Sequence, residues 1–147
     1  MTLNVGDKIS EISASNQQGE KLTLTFNNPT IVYFYPRDDT PGCTTEATQF
    51  NESLSQYEDI GAEVYGVSTD SVDSHLSFCN KYNLEFNLLA DSSGEVANHF
   101  GLDVSNGKAA RTTFIVSEGV IQAVYNDVKP DGHSSAVLSK LNKILEK

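Results

Sequence analysis

The run Thr30-Ile31-Val32-Tyr33-Phe34-Tyr35 constrains the fold more than any other stretch of the chain. Its consecutive apolar and aromatic side chains present no polar face to water, so it reads as a strand covered on both sides. The chain then turns at Pro36, passes Asp38 and Asp39, and reaches Thr40-Pro41-Gly42-Cys43. Thr40 is a good N-cap, Pro41 suits the first helical position and Gly42 permits close packing, which places Cys43 in the first turn of a helix leaving the sheet. Cys43, Ala47, Phe50, Leu54 and Tyr57 recur at helical spacing and predict one helix from Thr44 to about Asp59, closed by Gly61.

Upstream, alternating segments from Lys8 to Ala14 and from Glu20 to Phe26 flank Ser15–Gly19 and predict a hairpin. Downstream, residues 62–68 form the next strand, and a strand, helix and strand in this order imply a right-handed crossover with parallel pairing. Asp70 or Ser71 caps a second helix through about Asn80, with Val72, Leu76 and Cys79 on its inward stripe. His75 and Tyr82 on that helix read as surface and packing residues. Phe86–Ala90 is a short strand, a brief helix follows near Glu95–Phe100, and His99 beside Phe100 has no assigned partner. Residues 112–117 and 120–125 form an antiparallel hairpin around Glu118-Gly119, and a helix from about Ser134 to Leu145 ends the chain. The pattern is that of a single α/β domain over residues 1–147, a mixed central sheet flanked by helices.

Ten basic against twenty acidic residues give a formal charge of −10, which repels nucleic-acid phosphates and anionic membranes. The N-terminus lacks the basic start and apolar core of a signal peptide, and no apolar run is long enough to span a bilayer, so the expected location is the cytosol. Two cysteines with 35 residues between them do not resemble a zinc site, and His75, His99 and His133 are not grouped at ligand spacing. A reducing compartment argues against a permanent disulfide and leaves redox-active cysteines or unpaired core thiols.

Unpaired backbone amides and the positive end of a helix favour thiolate over thiol, so Cys43 is the candidate nucleophile, against the alternative of a small buried hydrophobe. A dithiol exchange site would place a second cysteine three residues earlier, where Thr40 stands. The Thr40 hydroxyl can donate to a thiolate or a bound oxygen, or serve only as a cap. Arg111, just before a strong strand, can stabilise a thiolate and developing oxyanion charge, or be an ordinary surface cation. Arg37 reads as a solvated charge near the rim, and Tyr35 as a wall of any pocket there.

Pro36-Arg37-Asp38-Asp39-Thr40-Pro41-Gly42-Cys43-Thr44-Thr45-Glu46-Ala47 resembles the active-site signature of the peroxiredoxins, in the bacterioferritin-comigratory-protein or PrxQ branch. Val5-Gly6-Asp7, Gly66-Val67-Ser68 and Arg111-Thr112-Thr113-Phe114-Ile115 fit the same resemblance, which covers essentially the whole chain. It implies a thioredoxin-like fold with an added N-terminal hairpin. It also implies reduction of hydrogen peroxide and organic hydroperoxides by a thiol cycle that needs no metal, haem or flavin. Cys43 becomes the peroxidatic cysteine, Thr40 the donor that positions it and the peroxide, and Arg111 the stabilising guanidinium. Pro36 shapes the pocket, and Glu46 orients Arg111 or merely stabilises the first helical turn.

The chain departs from the pattern at Thr48, where many members of the branch carry a resolving cysteine. Other members place it on the next helix, where Cys79 lies, so the resemblance implies that Cys79 attacks a Cys43 sulfenic acid to form an intramolecular disulfide. A packed core thiol at Cys79, with an external thiol resolving, is the alternative. Thioredoxin or a glutaredoxin-like protein is the expected reductant. Members of the branch are often monomers, a dimer through the loops around the site being the other arrangement. A redox-sensing or holdase-like protein using the same oxidation is the competing function.

Overall fold

The structure, a computed structural model, describes residues 3–104 and 107–146. The strands are β1 (Ile12–Ser15), β2 (Lys21–Leu24), β3 (Thr30–Phe34), β4 (Glu63–Ser68), β5 (Asn87–Ala90), β6 (Thr112–Ser117) and β7 (Val120–Tyr125). The helices are α1 (Pro41–Glu52), α2 (Leu54–Asp59), α3 (Val72–Tyr82), α4 (Glu95–His99) and α5 (His133–Glu146). All strands join one sheet in the order β2-β1-β5-β4-β3-β6-β7, with β3, β4 and β5 mutually parallel and the other pairs antiparallel. This is the mixed sheet with an N-terminal hairpin that the sequence implies, and it is a thioredoxin-like fold.

Strand β3 is buried at every position, because its alternate side chains enter two separate cores. Ile31, Tyr33 and Tyr35 pack with Cys43, Phe50, Tyr57 and Phe78, under α1, α2, α3 and α5. Val32 and Phe34 pack on the other face with Val96, Phe100 and Phe114, under α4 and the N-terminal segment. Glu118 (φ 54°) and Gly119 (φ 73°) both take left-handed conformations, as the tight β6–β7 turn requires.

Three expectations are corrected. The helix expected from Thr44 to Asp59 is two helices, interrupted at Ser53 (φ −93°, ψ 0°). Phe50, Leu54 and Tyr57 stay buried across the break, so the apolar stripe reads as continuous although the backbone is not. The first expected hairpin strand starts at Ile12; the residues before it pair across the molecule instead, with the Gly6 amide donating to the Ile121 carbonyl and the Ile9 amide to that of Gly119. Helix α3 is turned by about one residue from its apolar stripe: Cys79 is inward as expected, but His75 and Phe78 are buried beside it while Leu76 is 38% exposed. His75 is thus a core residue. Its ring nitrogens meet the Asp38 carboxylate (2.6 Å) and the Leu89 carbonyl (2.9 Å), which offsets the cost of burying them.

Candidate active site

Helix α1 begins where β3 leaves the sheet, and its first turn carries Cys43, 1% exposed. Thr40 occupies the N-cap position and Pro41 follows it, as the local sequence demands. The Thr40 side chain makes no cap; its hydroxyl donates to the Arg37 carbonyl at 3.1 Å. Pro36 is half-buried at the end of β3, and Arg37 is exposed.

Arg111 reaches this turn from the neighbouring strand. The β3–β6 register pairs Phe34 with Thr112, so the residue before Thr112 lies at the end of the sheet from which the Cys43 loop departs. One guanidinium nitrogen, Nη2, is 3.3 Å from Cys43 Sγ, and Nη1 donates to Glu46 Oε1 at 3.1 Å. The sequence left Arg111 and Glu46 with two readings each; in the structure they form a fork that ends on the sulfur. Gly42 makes the approach feasible, since a Cβ at that position would lie 2.7 Å from Arg111 Nη2 and 3.4 Å from Pro130 Cγ.

Glu46 is buried, on the side of α1 that meets the Arg111 guanidinium. Burial pushes its carboxyl up to about 7, against the opposing pull of Arg111. Among the described residues, oxygen Oε2 has no hydrogen-bond partner, and neither has the buried Tyr33 hydroxyl. Burial, then the charges of Glu46 and Cys43, hold Tyr33 well above the usual phenol range.

Cys79 lies in a different setting. It is 6% exposed on α3 and floors a surface cleft of about 280 Å³ that Cys43 does not line. Burial, followed by the negative charge of Asp38, pushes its thiol up to about 11. Both cysteines are free thiols within one buried cluster.

Sequence reasoning missed the group that ties the Cys43 loop to α3. Asp38 is buried and accepts hydrogen bonds from the Tyr35 hydroxyl (2.6 Å) and the Ser74 hydroxyl (2.8 Å), besides its contact with His75. Its amide donates to Asp70 Oδ2 (2.7 Å), which also accepts from the Ser68 hydroxyl (2.7 Å). Tyr35, expected as a pocket wall, is 1% exposed and spends its hydroxyl here. Among the described residues, Asp38, Asp70 and His75 bring ligand atoms within 4.8 Å of one another. The facing atoms already bond within the protein, so the cluster is a hydrogen-bond hub. His99, unassigned from the sequence, reaches the Ser10 carbonyl through Nε2 at 2.8 Å.

Residues 5–124 match the model of the AhpC/TSA family. A putative peroxiredoxin bcp from Coxiella burnetii is 42% identical, covering 96% of this chain and all of its own length. A Xylella fastidiosa PrxQ structure superposes with a TM-score of 0.90 at 34% identity, covering 98% of each chain. Peroxiredoxin Q from Xanthomonas campestris, solved with either of two cysteines replaced by serine, gives a TM-score of 0.82 at 35% identity. Those alignments cover 90% of this chain and 90% or 91% of the Xanthomonas chains. No helix among the described residues is long and apolar enough to cross a membrane.

Proposed function

Because this chain belongs to the AhpC/TSA family, in its PrxQ/bacterioferritin-comigratory branch, and is a thiol peroxidase, we propose that Cys43 is the sulfur that meets peroxide and Cys79 the one that resolves it. The observation that carries the reading is the Arg111 guanidinium, 3.3 Å from Cys43 Sγ and anchored on Glu46. A cation so placed holds negative charge first on sulfur and then on the departing oxygen. Gly42 gives it room, and Pro36, half-buried just after β3, is assigned the shaping of the pocket.

In the first step the Cys43 thiolate attacks the terminal oxygen of a hydroperoxide. A sulfur–oxygen bond forms, the oxygen–oxygen bond breaks, and the leaving alkoxide or hydroxide takes a proton to become alcohol or water. Thr40, near the peroxide, turns its hydroxyl from the Arg37 carbonyl to the incoming oxygen. In the second step the Cys79 thiolate attacks the Cys43 sulfenic acid; a disulfide forms, the sulfur–oxygen bond breaks and water leaves. A dithiol reductant, thioredoxin or a glutaredoxin-like protein, then returns two electrons in the reducing cytosol.

Two observations support Cys79 in this role. It is the only other thiol of the chain, and the two cysteines replaced in the Xanthomonas peroxiredoxin Q variants stand as far apart in that chain as Cys43 and Cys79 do in this one. One observation favours a second reading, in which an external thiol resolves Cys43: burial and Asp38 hold the Cys79 thiol near 11, where little thiolate exists at neutral pH. Cys79→Ser separates the two. Internal resolution requires a Cys43–Cys79 linked peptide in peroxide-treated wild type, and in the variant a preserved first oxidation with lost thioredoxin-driven turnover. An unchanged steady rate in the variant rejects it.

A further inference from the structure

The segment that carries Cys79 out of α3 is gripped by side chains from the two ends of α1, the helix that carries Cys43. Before α1, Asp39 accepts hydrogen bonds from Lys81 Nζ and the Tyr82 hydroxyl, each at 2.9 Å. At the far end of α1, Asn51 donates through Nδ2 to the Asn83 carbonyl (3.0 Å) and accepts through Oδ1 from the Glu85 amide (2.8 Å). Asp39 holds a positive φ of 56°, a left-handed conformation that aspartate tolerates better than most residues.

These four bonds differ in kind from the attachment of the other half of α3. Ser74 and His75 are tied to the buried Asp38, whereas the Asp39 and Lys81 side chains are 44% and 59% exposed. Exposed charge pairs and hydrogen bonds contribute little and open readily to water; a buried polar group does not. The last turn of α3 closes on Cys79 itself, whose carbonyl accepts from the Asn83 and Leu84 amides. Opening that turn therefore releases the Cys79 carbonyl and the chain beyond it, leaving Cys79 at a frayed helix end while Ser74 and His75 remain fixed.

We propose that Asp39 and Asn51 are positioning residues, a two-ended clip that keeps Cys79 in its helix and sets how oxidised Cys43 divides between the internal disulfide and overoxidation. The inference rests on the reading that Cys79 resolves. With the clip closed, the Cys43 sulfenic acid meets a second peroxide: a second sulfur–oxygen bond forms, the oxygen–oxygen bond breaks, and sulfinic acid results with release of water or alcohol. With it open, Cys79 reaches water, loses its proton and attacks the same sulfur, forming the disulfide and releasing water. Both routes draw on one sulfenic acid, so a weaker clip favours the disulfide.

The test uses the full chain. Lys81→Met with Tyr82→Phe removes both donors to Asp39 while keeping an aromatic ring against Phe78 and changing no residue of the Cys43 loop. Asn51→Ala removes the other end. After one addition of hydrogen peroxide, acid quench and alkylation, mass spectrometry follows sulfenic, sulfinic and disulfide forms of the Cys43 peptide. The double variant is expected to keep its first oxidation rate, form the disulfide about three- to tenfold faster and show a correspondingly smaller sulfinic fraction. Added salt should speed disulfide formation in wild type more than in the double variant. Asn51→Ala should shift the same partition in the same direction. An unchanged or slower disulfide step in both variants overturns the clip alone; absence of the linked peptide from wild type overturns the clip and the resolving role together.

Discussion

Cys43 and Cys79 share one buried cluster, yet their surroundings are opposite in sign. Cys43 sits in the first turn of a helix with a guanidinium nitrogen 3.3 Å away. Cys79 sits near the end of a helix, and its charged neighbour is the carboxylate of Asp38. Burial is nearly the same for the two, 1% and 6% exposed, so burial does not distinguish them. What differs is the charge within reach of the sulfur and the end of the helix dipole that faces it. The difference teaches that two cysteines in one core can meet charge of opposite sign, and on the proposed reading it is this charge that divides their tasks.

The comparison is broken most severely at Arg111. Arg111→Met should lower kcat/KM for peroxide by about 10²- to 10³-fold, read by stopped-flow oxidation. Arg111→Lys should recover only part of this loss, because an ammonium cannot span sulfur and Glu46 together.

Next comes Glu46. Its carboxyl, raised to about 7 in the folded protein, keeps its proton where the unfolded chain has already released it. Between about pH 4.5 and 7 the folded state thus binds more protons, and stability falls as pH rises. Glu46→Gln should remove that slope, worth at most ~3 kcal/mol, in urea unfolding followed across this range. An equal slope in wild type and variant would show that Glu46 is ionised throughout. His133 acts in the opposite sense: burial lowers it to about 4, so its contribution is lost as pH falls from about 6.5. Glu46→Gln should therefore leave a profile that rises with pH in this window.

Gly42→Ala sharpens the comparison without touching a charge. A methyl group 2.7 Å from Arg111 Nη2 must push the guanidinium aside, and peroxidase kcat/KM should fall about tenfold while the fold persists. The smallest effect is on the quiet side. Asp38→Asn removes the anion that is the second cause of the Cys79 shift, so that thiol should titrate below about 11 in alkylation rates measured against pH. No change would leave burial as the whole cause.

Much of this was legible in the sequence, and the rest failed for an identifiable reason. The consecutive apolar residues of β3 and the helical recurrence from Cys43 to Tyr57 report an element's own faces, so the sheet, the flanking helices and the position of Cys43 could be read directly. Arg111 and Glu46 became meaningful only through the family pattern, since a lone arginine before a strand has no distinguishing composition. His75 looked like surface because a periodicity argument counts histidine as polar; its partners, Asp38 and the Leu89 carbonyl, lie on other elements. The Ser53 break was hidden by a stripe that continues through it, and the cross-molecule pairing of residues 6–9 by a local alternation that fits either partner. Asp39 and Asn51 were illegible for the same reason: each acts on backbone or side chains more than 30 positions away.

The central claim is the division of labour between the two sulfurs, and one measurement reaches it most directly. Reduced protein is exposed to one equivalent of hydrogen peroxide at neutral pH for a time short of disulfide formation, then both cysteine peptides are quantified by mass spectrometry. The expected result is oxygen on Cys43 alone, with Cys79 still a thiol, and loss of that selectivity in Arg111→Met. Oxygen appearing on Cys79 as fast as on Cys43, or a Cys43 that stays reduced, would contradict the account.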